Sequence, residues 1–170
     1  MTVYLNNPNV VTNVPAGTVV GILSTTQGNT SIPCTFSLVK NPNNYFAING
    51  NNLVTAQSGP MVAGFYSVQI DAMPVTLSDS PTFTIAATSP DGSTLMAGVT
   101  GSLVTSDGIW TFSATKLAHG YYILLNGQVA GGGSGTELMV AKGGHMYVVN
   151  SIGVWYEWVN SHWTQTTQPT

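Results

Sequence analysis

Tyr45-Phe46-Ala47-Ile48-Asn49-Gly50-Asn51-Asn52-Leu53-Val54-Thr55 reads as two short strands around a tight turn. Phe46-Ala47-Ile48 and Leu53-Val54-Thr55 carry the aromatic and β-branched side chains that pack well on a pleated, half-buried surface. The Asn-Gly pair between them is a strong hairpin signal, because these residues tolerate the positive φ that a two-residue turn requires. Further segments of the same kind lie on either side: 10–14, 18–23 and 35–39 before the hairpin, 65–72 and 82–87 after it. In 65–72, Phe65, Ser67, Gln69 and Asp71 alternate with Tyr66, Val68, Ile70 and Ala72. A period of two places alternate side chains on opposite faces, so Tyr66, Val68 and Ile70 are expected to face a core. Short strands punctuated by proline and asparagine predict a β-sandwich.

The punctuation changes near residue 89. Eight of the nine prolines lie between Pro8 and Pro90, whereas all four tryptophans and thirteen of the nineteen glycines come later. Ala87-Thr88-Ser89-Pro90-Asp91-Gly92 reads as a strand end followed by a turn. Two domains are therefore expected, 1–88 and 89–170. In the second, strands are expected at 95–97, 101–105, 109–113, 121–125, 137–141, 146–150 and 154–159, forming a small Trp-rich antiparallel sheet or barrel. Gly131-Gly132-Gly133-Ser134-Gly135 reads as a flexible loop; it lacks the lysine and following helix of a phosphate-binding loop. No helix of ordinary length is legible, and the chain is expected to be all-β.

Charged residues make up 5% of the chain, against about 25% in a typical soluble protein. Lys40, Lys116 and Lys142 are the only lysines and there is no arginine. That inventory excludes a nucleic-acid-binding face, a polybasic membrane contact and an arginine phosphate clamp. At 43% hydrophobic residues, the low charge does not signal disorder. The longest apolar run, near 121–125, has a strand's length and cannot span a bilayer as a helix. Met1-Thr2-Val3-Tyr4-Leu5 has neither the basic start nor the apolar segment of a signal peptide, which suits either a removed leader or cytoplasmic synthesis. Cys34 is the sole cysteine, so an intrachain disulfide and a zinc site of four cysteines or Cys2His2 type are excluded; a small buried hydrophobe is expected there. His119, His145 and His162 lack metal-ligand spacing and read as surface or turn residues. No metal and no cofactor is expected.

Two resemblances add to this reading. With Pro15-Ala16-Gly17-Thr18-Val19-Val20-Gly21, the hairpin at 45–55 and Tyr66-Ser67-Val68-Gln69-Ile70-Asp71-Ala72, the first half resembles a bacterial-type cadherin-like (Ig-like) domain. Cadherin calcium sites use acidic clusters, but Asn13 stands where an acidic residue would be expected, and this half holds only Asp71 and Asp79. The resemblance implies the sandwich without the metal. The second half carries Gly108-Ile109-Trp110-Thr111-Phe112, Ile123-Leu124-Leu125-Asn126-Gly127, Glu137-Leu138-Met139-Val140, His145-Met146-Tyr147-Val148-Val149-Asn150 and Gly153-Val154-Trp155-Tyr156-Glu157-Trp158. It resembles a small β-domain appended to bacterial glycoside hydrolases and surface proteins, where it implies a non-catalytic polysaccharide contact.

Trp155-Tyr156-Glu157-Trp158 is the most informative chemical pattern. In a strand, Trp155 and Glu157 share one face, while Tyr156 and Trp158 share the other. One face is expected to be core, and the other exposed and flat enough for a sugar ring. Trp155, Tyr156, Glu157, Trp158 and Trp163 are the candidate glycan-binding residues, the alternative being that the aromatics fill a core. Trp158→Ala is expected to weaken glycan binding without unfolding the domain. Glycoside hydrolysis needs two convergent carboxyl groups, and nothing in the sequence shows that Glu137 and Glu157 converge, so no catalytic residue is expected. Ser134 lacks the strand–elbow–helix context of a nucleophile. The expected function is that of a non-enzymatic phage virion-surface protein, a decoration, fibre or tail accessory. It would contact capsid or tail proteins, cell-surface polysaccharide, or both, without membrane insertion, and could form a homo-oligomer. The alternative is an extracellular carbohydrate-binding accessory module of a secreted or surface bacterial protein.

Overall fold

A computed structural model describes residues 1–56, 61–74 and 80–170; Asp79 lies outside them. Apart from a 3-10 turn at Pro42–Asn44, the regular elements described are strands. The contacts divide the chain into two compact units, Met1–Ala87 and Thr88–Thr170.

The first unit is built from β1 (Thr2–Leu5), β2 (Asn9–Val11), β3 (Val19–Gln27), β4 (Thr30–Ser31), β5 (Thr35–Lys40), β6 (Phe46–Asn49), β7 (Asn52–Thr55), β8 (Gly64–Met73) and β9 (Thr82–Thr88). One sheet runs β1-β3-β7-β6, with β4 also on β3, and the other runs β2-β9-β8-β5. The hairpin at 49–50 joins β6 to β7, Asn49 lying opposite Asn52. One core draws on both sheets: Val20, Leu23, Phe46 and Leu53 from the first, Val68, Ile70 and Ile85 from the second. Tyr66 packs against it, edge-on to Tyr45 at 5.2 Å. Thr55 ties the approach to β3 into this core. Its buried hydroxyl donates to the Pro15 carbonyl at 2.8 Å and accepts the Thr18 N–H at 3.1 Å.

The second unit comprises β10 (Thr94–Met96), β11 (Leu103–Thr105), β12 (Gly108–Leu117), β13 (Gly120–Leu125), β14 (Gln128–Gly135), β15 (Glu137–Ala141), β16 (His145–Val149), β17 (Trp155–Val159) and β18 (His162–Thr166). They form two sheets, β11-β12-β13-β14 and β10-β15-β16-β17-β18. Leu103, Trp110, Ile123 and Ala130 from one, with Leu95, Leu138, Val140, Met146 and Val148 from the other, make a single core. The whole chain is thus all-β, with sandwich-type packing of sheets.

The glycine-rich run is not a loop: residues 131–135 belong to β14. Tyr122 pairs with Ser134 and Leu124 with Val129, so the chain between Val129 and Ser134 bulges opposite the single residue Ile123. Gly131 and Gly132 take the left-handed φ that this bulge needs (54° and 69°). The strand wraps an indole: Trp163 Nε1–H donates to the Ala130 carbonyl at 2.9 Å. A β-carbon on Gly133 would fall 2.1 Å from that nitrogen. Gly133 lacks a side chain where the Trp163 indole of β18 lies, and Gly135 lacks one where Val148 does.

Candidate functional site

Three of the four tryptophans meet in the second unit. Trp110 is fully buried and donates its indole N–H to the Thr105 hydroxyl at 2.9 Å. Trp158 and Trp163 stand directly opposite each other on β17 and β18. Their ring centroids lie 5.3 and 5.7 Å from that of Trp110 and 5.0 Å from each other, all edge-to-face. This arrangement aligns positive ring edges with negative faces and adds to the area buried.

The candidate glycan-binding residues therefore divide between two faces. Tyr156, Trp158 and Trp163 turn inward and pack on the core, while Trp155 and Glu157 lie on the opposite face of β17. The alternation read from the sequence is present, but the five side chains do not share one flat exposed surface. Trp158 packs edge-on against Trp110 and Trp163, which is the core alternative for this ring, whereas from the sequence Trp158→Ala is expected to weaken glycan binding without unfolding the domain.

Tyr156 and Trp163 do come together at the rim of the core. There they line a crevice of about 170 Å³ with Val148, Asn150, His119, Gly133 and Ser134. His119 sits in the β12–β13 turn, held near β16 by its carbonyl, which accepts the Ser151 N–H at 3.1 Å. Asn150 follows β16, and its Oδ1 accepts the N–H groups of Ile152 (3.2 Å) and Val154 (3.0 Å), shaping the turn into β17. The lining holds no carboxylate, lysine or arginine. Asn150, Ser134 and His119 were not among the candidates read from the sequence, since only the closure of the two sheets brings their three segments together.

The opposite face of β15–β18 carries a different cluster. His145 Nδ1 lies 2.7 Å from Glu157 Oε1, and the register places Glu157 opposite Tyr147. Burial raises the Tyr147 phenol above its ordinary pKa, with smaller contributions from the Glu157 charge, a hydrogen bond with that carboxylate, and Asp91. Asp91 is itself engaged, accepting the N–H groups of Gly143 and Gly144 at 2.8 and 2.9 Å. Glu137 lies opposite Val149, in the same row as Trp155 and away from the row of Glu157. Among the described residues, no three histidine, cysteine or carboxylate side chains converge as metal ligands.

In the first unit, Cys34 is half-buried against the core. It lines a cavity of about 370 Å³ with Leu23, Ser24, Ile32, Phe36 and other residues. Its walls combine aliphatic groups, hydroxyls and the Asn51 carboxamide with one aromatic ring. The second-unit crevice differs in its two large aromatic rings, which stand beside an amide, an imidazole and a hydroxyl. No protein-family model matches this chain, and no curated protein is similar enough to be recognised as its relative.

Proposed function

We propose that this chain is a non-enzymatic surface protein of a phage virion, a decoration, fibre or tail accessory. Its cadherin-like first unit would serve as anchor or spacer, and its second unit would contact a glycan. The observation that carries the reading is the crevice in the second unit. Aromatic walls with uncharged hydrogen-bonding groups suit the C–H faces and hydroxyls of a sugar. The low charge supports it as well, since contacts built from hydroxyls, amides and aromatic rings are little affected by salt. The same crevice suits a carbohydrate-binding accessory module of a secreted or surface bacterial protein, and the two readings differ in what carries the module.

Light scattering in low and high salt, followed by sedimentation with purified particles, separates them. A salt-insensitive closed oligomer that joins particles stoichiometrically is the expected result. A monomer that ignores particles yet is retained on polysaccharide transfers the reading to the accessory module. A protein that does neither refutes both.

A further inference from the structure

Asn150 is 8% exposed. Its side-chain oxygen is committed to the Ile152 and Val154 N–H groups, which leaves the NH2 group on the other arm of the carboxamide. That nitrogen has no hydrogen-bond partner among the described residues. No fully enclosed side-chain nitrogen or oxygen in them lacks one, so solvent reaches the Asn150 NH2, and Asn150 is among the residues that line the crevice. The turn therefore fixes a nearly buried residue of the crevice wall whose amide donor is not used within the described residues.

We propose that the crevice is a subsite for one uncharged sugar unit, which gives an acceptor oxygen to Asn150 Nδ2 and lays its apolar C–H face against Trp163 and Tyr156. The inference rests on the glycan-contact reading above and names the class of sugar. Size argues for a single ring: about 170 Å³ is below the roughly 300–1,000 Å³ of pockets for drug-sized ligands. Polarity argues against the apolar side chain of a protein partner, which would cover the Asn150 NH2 without replacing its bond to water. Charge argues against uronic and sialic acids, because no lysine or arginine lines the crevice to receive a carboxylate. Trp163 is a suitable wall because its N–H is already satisfied by Ala130, which fixes the ring without drawing on the ligand.

The test is a titration of the full chain at pH 7.5 with the methyl glycosides of glucose, N-acetylglucosamine and glucuronic acid. Each is followed by NMR at the Asn150 side-chain amide and the Trp163 indole N–H. At least one neutral glycoside should shift both signals, and the glucuronide should shift neither. Asn150→Asp keeps an oxygen for the turn but replaces the donor with an acceptor, and should weaken binding at least tenfold with the melting temperature little changed. Should that variant fail to fold, shift mapping on the unaltered protein decides. Perturbations confined to Trp155 and its face overturn the proposal while leaving glycan contact standing. Binding of the glucuronide equal to that of the neutral sugars overturns the assignment of class. No response to any glycoside, together with no retention on polysaccharide, overturns this proposal and the glycan reading together.

Discussion

Replacing Gly133 by alanine would put a methyl carbon 2.1 Å from Trp163 Nε1 and 2.5 Å from its Cδ1, far inside van der Waals contact. Gly133 does not share the left-handed φ of Gly131 and Gly132, so alanine adds no backbone strain of that kind. The cost falls on the indole, which must leave its hydrogen bond to Ala130 and its edge contacts with Trp110 and Trp158. Overpacking of this kind costs ~1–3 kcal/mol, and a lost intramolecular hydrogen bond ~1 kcal/mol. A destabilisation of about 3 kcal/mol is therefore expected, a fall in melting temperature of roughly 12–24 °C for a domain of this size. The assay is near-ultraviolet circular dichroism of the full chain during heating. All four tryptophans lie in the second unit, so their signal reports its unfolding separately. Gly132→Ala is the control: its φ is +69° and nothing lies within 4 Å of the added carbon. It should cost only the ~1–2 kcal/mol of a left-handed alanine. A Gly133→Ala protein that melts with the parent, or above Gly132→Ala, would refute the seating of the indole on β14.

Three further outcomes are expected. Trp158→Ala should destabilise the second unit by about 3 kcal/mol, the lower end for a buried aromatic truncation, read by denaturant unfolding; unchanged stability would show that the ring is not seated against Trp110. Thr55→Val should lower the calorimetric transition of the first unit by about 1–3 kcal/mol, because the Pro15 carbonyl and Thr18 N–H lose their shared hydroxyl. The folded state raises the Tyr147 phenol, so its contribution is present below the ordinary value of about 10 and is lost as pH rises through the raised value. Tyr147→Phe should therefore make the alkaline decline of melting temperature shallower than in the parent, and an equally steep decline would count against the assignment.

The legible parts of the fold were those whose cause is local. Asn49-Gly50 carries its own turn chemistry, the alternation over 65–72 marks the buried face of β8, and β15 runs over the 137–141 read from the sequence. Elements whose cause lies elsewhere were missed. β14 looks like a loop because glycines give no side-chain pattern, and the group that packs it, Trp163, comes from another sheet. β1 is a four-residue strand at the chain's start with little alternation to mark it, and β18 lies beyond the last strand expected, 154–159. The site shows the same division. Periodicity separates Trp155 and Glu157 from Tyr156 and Trp158, but only the buried Trp110 on the facing sheet determines which pair turns inward. The His145–Glu157 contact depends on the β16–β17 register, and the free amide of Asn150 on turn hydrogen bonds; neither has a signature in a single strand.

The bulge in β14 also bears on how copies of this protein behave when crowded. β14 and β5 lie at the open edges of their sheets, where unpaired N–H and C=O groups can template a further strand. Many proteins guard such edges with repelling charges, a defence that three lysines and six carboxylates can supply only sparsely. Irregular backbone acts here instead. The glycine bulge interrupts the ladder spacing along β14, and the register slip between Leu38 and Lys40 interrupts it on β5. An incoming strand would find its hydrogen-bond partners out of step after a few residues, so these two edges resist fibre-like zippering even at high local density and high salt.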